Sequence, residues 1–191
     1  MKKLLIIMLL LPVWAWGASE TQSAGSYDQG TNWNSPGNIT GDDDGSCTHY
    51  FTAGQDIITV YNFGFSSVTG TVDSINVRFH MYAAASSQAD REIEAQLTKT
   101  GGTTNTGVGT LYEDIGPGSA LSNCGDAADI DEEGNVLWGT TWTAAEITAS
   151  GFGINIANDN SSDAFRGIDG VYITVYYTEG GEADKRWKIL K

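Results

Sequence analysis

The feature that most constrains the fold of this chain is a two-residue alternation of apolar and polar side chains. In the segment 74–82, Ile75, Val77, Phe79 and Met81 alternate with Asn, Arg and His or Tyr. Because successive residues of a β-strand point to opposite faces, this pattern predicts a strand with one face in a core. The same pattern recurs in two further segments, 91–99 and 171–177.

Turn signals separate these predicted strands and several weaker ones. Many short strands with almost no helical pattern predict an all-β fold, an antiparallel two-sheet β-sandwich of jelly-roll-like type. The exception is one short helical turn near residues 143–149. There Thr143 and Glu146 have the spacing of a capping box, in which each side chain bonds the other residue's backbone N–H.

The chain divides into four predicted parts. Residues 1–17, MKKLLIIMLLLPVWAWG, have the basic start, short apolar run and small-residue cleavage site of a secretory signal peptide. Residues 18–36 form a polar lead-in, residues 37–178 the β-sandwich domain, and residues 179–191 a linker and basic tail. The tail is either a solvated terminus or a docking peptide for an acidic surface, such as that of a sister subunit.

Export and charge limit the partners of this chain. A signal peptide predicts a secreted protein, extracellular or periplasmic, with no stable membrane insertion after cleavage. The net charge of the whole chain is −14, and loss of the two lysines in residues 1–17 makes it −16. Such a surface repels phosphate backbones, so nucleic acid is not an expected partner.

The chain contains two cysteines, Cys47 and Cys124. An oxidising compartment permits a disulfide between them. Two buried free thiols are the alternative.

One run of sequence resembles a known type of module. The stretch LWGTTWTAAEITASGFGINI, then IDGVYITVYYTE, and the earlier NFGFSSVTGTVDSINVRFHMYA are similar to jelly-roll β-sandwich modules of uncharacterised exported bacterial proteins and phage virion proteins. The resemblance covers residues 37–178. It implies an accessory, adhesive or structural role rather than substrate turnover.

Aromatic residues supply the candidate ligand contacts. Trp138 and Trp142 either pack in the core or stack against a sugar, and Trp33 is a further candidate for stacking. The outward-facing side chains of the last predicted strand, together with polar neighbours from the strand at 74–82, form a second candidate ligand-binding surface. Its proposed ligand contacts are Tyr172, Tyr176, His80 and Tyr82. The alternative is that another layer or subunit covers this surface.

Acidic residues suggest a cation site. Asp129, Asp131 and Glu133 are followed by Gly134, which matches the first half of a calcium-binding loop. The second half of the motif is missing, and a solvated acidic hairpin turn is the alternative. A structural Ca²⁺ is therefore the one cofactor that the sequence suggests.

The sequence contains no complete catalytic motif, and it lacks the G-x-S-x-G elbow of many serine hydrolases. We therefore predict an exported, non-catalytic β-sandwich that binds an extracellular ligand, with glycan as the preferred candidate. The alternative is a structural or assembly subunit whose terminal segments contact sister subunits.

Overall fold

The alternating segments do form strands. The computed structural model describes residues 17–29, 33–41, 45–50, 56–83, 93–101, 107–115, 128–132, 137–158 and 166–179. The strands are β1 (Gly17–Ser23), β2 (Ser26–Gln29), β3 (Trp33–Asn34), β4 (Thr48–Tyr50), β5 (Ile57–Tyr61), β6 (Thr71–Ala83), β7 (Ile93–Thr98), β8 (Tyr112–Ile115), β9 (Ala128–Glu132), β10 (Gly153–Asn158) and β11 (Arg166–Thr178). A 3-10 turn (Pro36–Ile39) and α1 (Ala144–Ile147) are the helical elements of these residues.

The strands form two antiparallel sheets. Sheet A has the order β3-β4-β11-β6-β9, with β1 also paired to β11. Sheet B has the order β2-β5-β10-β7-β8. Most connections carry the chain from one sheet to the other, as in a jelly roll. The predicted two-sheet β-sandwich is confirmed.

The core lies between the sheets and is built from the residues that the alternation placed there. Ile75, Val77, Phe79 and Met81 of β6 are buried, and their polar neighbours on the strand are not. They pack with the inward residues of sheet B in one apolar cluster. Burying a side chain of this size stabilises a fold by about 1.5–3 kcal/mol relative to leaving it exposed.

Strand β11 organises sheet A. It pairs with β6 along the whole of its length. On its other edge, β4 pairs with the beginning of β11 and β1 pairs with its end. The outer face of this part of sheet A is therefore a surface of three adjacent strands, in the order β1, β11, β6.

The predicted lead-in at residues 18–36 is part of the sandwich, and this boundary prediction was wrong. Strand β1 lies in sheet A, β2 pairs with β5 in sheet B, and β3 pairs with β4. These polar strands are held in the sheets by backbone hydrogen bonds, and their sequences lack the apolar alternation that marks the other strands. The predicted signal peptide lies outside the described residues except for Gly17, and the predicted tail does so except for Glu179.

The short helix forms as the sequence predicted. Thr143 Oγ1 accepts a hydrogen bond from the Glu146 backbone N–H at 3.2 Å, and the Thr143 N–H donates to Glu146 Oε2 at 2.8 Å. Both halves of the capping box are present. No helix of the described residues is long and apolar enough to span a membrane.

Glu20 links β1 to the connection between β5 and β6. Its carboxylate accepts hydrogen bonds from the backbone N–H groups of Ser66 at 3.1 Å and Ser67 at 2.9 Å. Gln22 Nε2 donates to the same carboxylate at 2.9 Å. Burial acts to raise the pKa of Glu20, but the bonds from Gln22 and from the backbone of Ser67, Ser66 and Val68 outweigh it and hold the pKa below its ordinary value of 4.5.

This contact makes stability depend on pH in a defined direction. A carboxyl group whose pKa is lower in the folded protein contributes stability above its unfolded pKa and loses it as the pH falls through the folded pKa. We expect Glu20→Ala to unfold at a lower urea concentration than the unsubstituted protein at pH 7. This difference should shrink as the pH falls below 4.5.

Glu20→Gln serves as the matched variant, since it keeps one acceptor oxygen but does not titrate. The stability difference between Glu20→Gln and Glu20→Ala should stay constant from pH 7 to pH 3. A wild-type advantage over Glu20→Ala that is as large at pH 3 as at pH 7 would contradict this account of the Glu20 carboxylate.

Candidate functional site

Trp138 is a packing residue. Its side chain is 0% exposed, and its indole N–H donates to the Ile75 carbonyl of β6 at 3.0 Å. Strand β9 pairs with β6 only from Val77 onward. The indole therefore supplies a hydrogen bond to a backbone carbonyl of β6 that lies before this pairing begins. The suggested role of Trp138 in sugar stacking is wrong, because a buried ring offers no face to a ligand.

Trp142 and Trp33 are also buried, and the same correction applies to both. The Trp142 ring meets Phe152 edge to face with 5.3 Å between centroids, and Lys99 Nζ lies 5.0 Å from its centroid. Trp33 donates its indole N–H to the Asp56 carbonyl at 3.2 Å. These three tryptophans therefore fill and close the core, which for Trp138 and Trp142 was the packing alternative.

The outer face of sheet A brings together the other aromatic candidates. Tyr172, Thr174 and Tyr176 alternate with the buried residues of β11 and so point away from the core. Cross-strand neighbours share a face of the sheet. We define the β11 face by the three rows that result: Ser23–Tyr172–Arg78, Thr21–Thr174–Asn76 and Ser19–Tyr176–Ser74.

Tyr172 lies against the sheet. A Cβ atom added to Gly170 would come within 3.0 Å of Tyr172 Cε2, so the ring uses the space that this glycine leaves. The Arg78 guanidinium carbon lies 4.4 Å from the centroid of the same ring. Arg78 thus occupies part of the surface that a sugar would need for stacking on Tyr172, and the two side chains form one stacked unit.

Tyr176 is the most exposed aromatic side chain that the structure describes on this face. It is 45% exposed, and its cross-strand neighbours are the short side chains of Ser19 and Ser74. Its ring therefore projects above its surroundings. His80 lies on the same face, partly buried and one row beyond Arg78, opposite Gly170. Tyr82 lies in β6 two residues further on, and its side chain is outside the described residues.

Polar groups surround Tyr176 on the β11 face. Thr21 Oγ1 and Thr174 Oγ1 lie 2.9 Å apart and share a hydrogen bond. Asn76 is opposite Thr174 on the other side and is partly exposed. In the row beyond Tyr176, the Thr178 hydroxyl donates to Asp73 Oδ2 at 2.7 Å.

The outer face of sheet B is different, because chain segments cover it. Thr59 is 0% exposed and Asn155 is 8% exposed, although both point away from the core, and the Thr59 hydroxyl donates to Asn155 Oδ1 at 2.8 Å. Gln96, opposite Asn155, donates to the Gly109 carbonyl at 2.9 Å. Gly101 rests against Tyr61, where an added Cβ would lie 2.4 Å from the tyrosine Cβ. At the centres of the two outer faces, as far as the described residues show them, Tyr176 on the β11 face is 45% exposed whereas Thr59 and Asn155 on sheet B are buried.

Two of the three acidic candidates for a calcium site lie in a strand. Asp129 and Asp131 lie in the extended strand β9, opposite His80 and Arg78, and Glu133 lies outside the described residues. An extended strand does not wrap an ion as a calcium loop does. No cluster of three or more metal-ligating side chains occurs in the described residues. Calcium binding stays a prediction without a described site.

Cys47 precedes β4 and is buried. It is the one cysteine of the described residues, and it is not a free thiol. Its carbonyl accepts a hydrogen bond from Asn38 Nδ2 at 3.2 Å. Cys124 lies outside the described residues, so the Cys47–Cys124 pairing stays a prediction.

Comparisons with known proteins add little about function. No protein-family model matches the chain, and no curated protein matches it. Among solved structures, TmCBM61 in complex with β-1,4-galactotriose matches 81% of this chain and 86% of its own, at 10% identity and a TM-score of 0.34. SGBP-B from a complex xyloglucan utilization locus in Bacteroides uniformis matches 86% of this chain at 13% identity and a TM-score of 0.40, and the match spans 45% of SGBP-B. At such TM-scores neither match assigns a family or a ligand.

Proposed function

We propose that this protein is an exported, non-catalytic β-sandwich that binds extracellular glycan on the β11 face. The observation that carries the proposal is Tyr176, which is 45% exposed and projects from an open sheet face among hydroxyl and amide side chains. A sugar ring has an apolar C–H face and a rim of hydroxyls. An aromatic ring next to polar side chains complements both parts.

Binding without turnover suits the position of this face. An enzyme stabilises the charge that develops in a transition state with groups that are preorganised in a site from which water is excluded. The β11 face is exposed to solvent at Tyr176, and a ligand there keeps much of its hydration. Export is supported by the sequence of residues 1–17 and by the absence of a free thiol at Cys47, since disulfides persist in oxidising compartments.

The assembly alternative loses one of its two predicted contacts. It relied on residues 18–36 and on the basic tail as terminal arms that contact sister subunits. The first of these segments contributes β1, β2 and β3 to the sandwich itself. Contact between sister subunits through residues 179–191 stays a prediction.

Affinity electrophoresis tests the proposed function. The protein is run through native gels that contain one neutral polysaccharide (β-1,4-galactan, xyloglucan, xylan or mannan) or one polyuronate (polygalacturonate or alginate). We expect at least one polysaccharide to retard the protein, and Tyr176→Ala to lose most of this retardation, because stacking of one aromatic ring is the main apolar contact of the β11 face.

Tyr27→Ala is the matched control, since Tyr27 is also a partly exposed tyrosine, at 38%, but belongs to sheet B. It should be retarded like the unsubstituted protein. Equal retardation of Tyr176→Ala and wild type would place the binding surface elsewhere. A wild-type protein that none of these polysaccharides retards would overturn the proposal.

A further inference from the structure

We infer that the β11 face binds a neutral oligosaccharide of two or more sugars that runs across the strands, from β1 over β11 to β6. This inference rests on the proposed function and names the class and direction of its ligand. It follows from the sizes of the side chains in the three rows, from their spacing and from the charges around them.

The middle row forms the floor of a trough. Thr21, Thr174 and Asn76 lie side by side on three adjacent strands, and all three side chains are at least partly exposed. Each is short and carries a hydroxyl or an amide. Together they present a line of hydrogen-bonding groups perpendicular to the strands, which a chain of sugar hydroxyls can follow.

The two outer rows form the walls. On one side stands the exposed Tyr176 ring, and on the other side Arg78 stacks on the Tyr172 ring that lies against the sheet, so that the pair is two layers high. Tyr172 leans toward Gly170, away from Thr174, which keeps the floor clear. A ligand that ran along β11 would have to pass over both walls, whereas one that crosses the strands lies between them.

The dimensions of the trough suit an extended chain. Neighbouring strands are about 4.8 Å apart, so the floor from β1 to β6 spans about 10 Å between backbones. The Cα atoms of the two walls are four residues apart on β11, or about 13 Å. This floor is longer than one sugar ring. The distance between the walls admits one oligosaccharide chain, with the Tyr176 ring against the side of that chain.

The charges around the trough favour a neutral ligand. The floor itself carries no charged residue. Arg78 and His80 are the basic side chains near this face. On the neighbouring strand β9, Asp131 lies opposite Arg78 and Asp129 lies opposite His80. Asp73 is exposed one row beyond Tyr176, and the whole chain carries a net charge of −14. A polyuronate would be repelled by this surface rather than attracted to it.

Two substitutions on the β11 face and one beyond its edge test the direction of the ligand. Thr21→Val and Asn76→Ala remove hydrogen-bonding groups at the two ends of the floor. Thr178→Val removes a hydroxyl that lies beyond Tyr176 along β11. With the neutral polysaccharide that best retards the wild type, we expect Thr21→Val and Asn76→Ala each to weaken binding about 2- to 10-fold, the loss of one hydrogen bond, and Thr178→Val to leave it unchanged.

Competition in the same gels tests the length of the ligand. The trisaccharide unit of that polysaccharide should compete at a concentration at least tenfold lower than its monosaccharide. Retardation by a polyuronate alone, equal competition by the monosaccharide, or weakening by Thr178→Val with no effect of Thr21→Val and Asn76→Ala would each overturn the inference. These outcomes leave the proposed function intact if Tyr176→Ala still loses most of the retardation, so the two failures are distinguishable.

Discussion

Replacing Trp138 by alanine is expected to lower the free energy of unfolding by about 4 kcal/mol, in the range of large-to-small substitutions of buried aromatic residues. The indole is fully buried, and its loss leaves a cavity beside β6. The Ile75 carbonyl would also lose its hydrogen-bond donor, at a cost of about 1–3 kcal/mol within that total if no water replaces it. Urea unfolding followed by circular dichroism measures the effect.

Two further variants separate the contributions of the Trp138 ring, its N–H group and its backbone. Trp138→Phe keeps most of the apolar volume and loses the donor, so its stability should fall between those of wild type and Trp138→Ala. Trp138 has a φ of 54°, in the left-handed region that glycine adopts most easily. Trp138→Gly should therefore be no less stable than Trp138→Ala. A Trp138→Ala protein with wild-type stability would contradict the packing role.

Removing both cysteines is expected to cost about 4 kcal/mol of stability, from the loop-closure entropy of a long disulfide-bonded loop. Cys47 is buried and not a free thiol, and Cys124 is the only other cysteine of the chain. The Cys47→Ala/Cys124→Ala variant should unfold at a much lower urea concentration than the oxidised protein. Thiol titration of the unfolded protein should find no free thiol before reduction and two after it.

The single variants provide the control for the disulfide. If Cys47 and Cys124 are joined, removing either one breaks the bond, so Cys124→Ala alone should lose most of the stability that the double variant loses. Unpaired cysteines would instead give effects that add between the two sites. Additive losses, or free thiols in the unreduced protein, would show that the two residues are not joined.

The sequence predicted those parts of the fold in which one face of a strand is buried. Ile75, Val77 and Phe79 alternate with polar residues because only one side of β6 meets the core, and the same reasoning predicted β7 and β11. The alternation of side chains along β6 and β11 also placed His80, Tyr172 and Tyr176 on one outer face. The Thr143–Glu146 capping box predicted α1, since its two bonds are local.

The remaining elements depend on contacts that a local pattern does not contain. In β1, with the sequence GASETQS, both faces are small or polar, so nothing indicated that Thr21 would join the β11 face. Arg78 could be placed on that face, but its stacking on Tyr172 depends on the pairing of β6 with β11. Trp138 and Trp142 fit either a ligand platform or a core by sequence, and only the position of their rings relative to β6 and Phe152 decides between them.

The pairing of β1 with β11 joins the first and last strands of the described chain. Thr21 and Thr174 touch across a separation of 153 residues. Contacts between such distant positions make folding slow, because the loop between them has to close before the contact is gained. Because a chain is synthesised amino terminus first, β1 has no partner in sheet A until residues 166–178 have emerged, so this edge of the sheet is completed late.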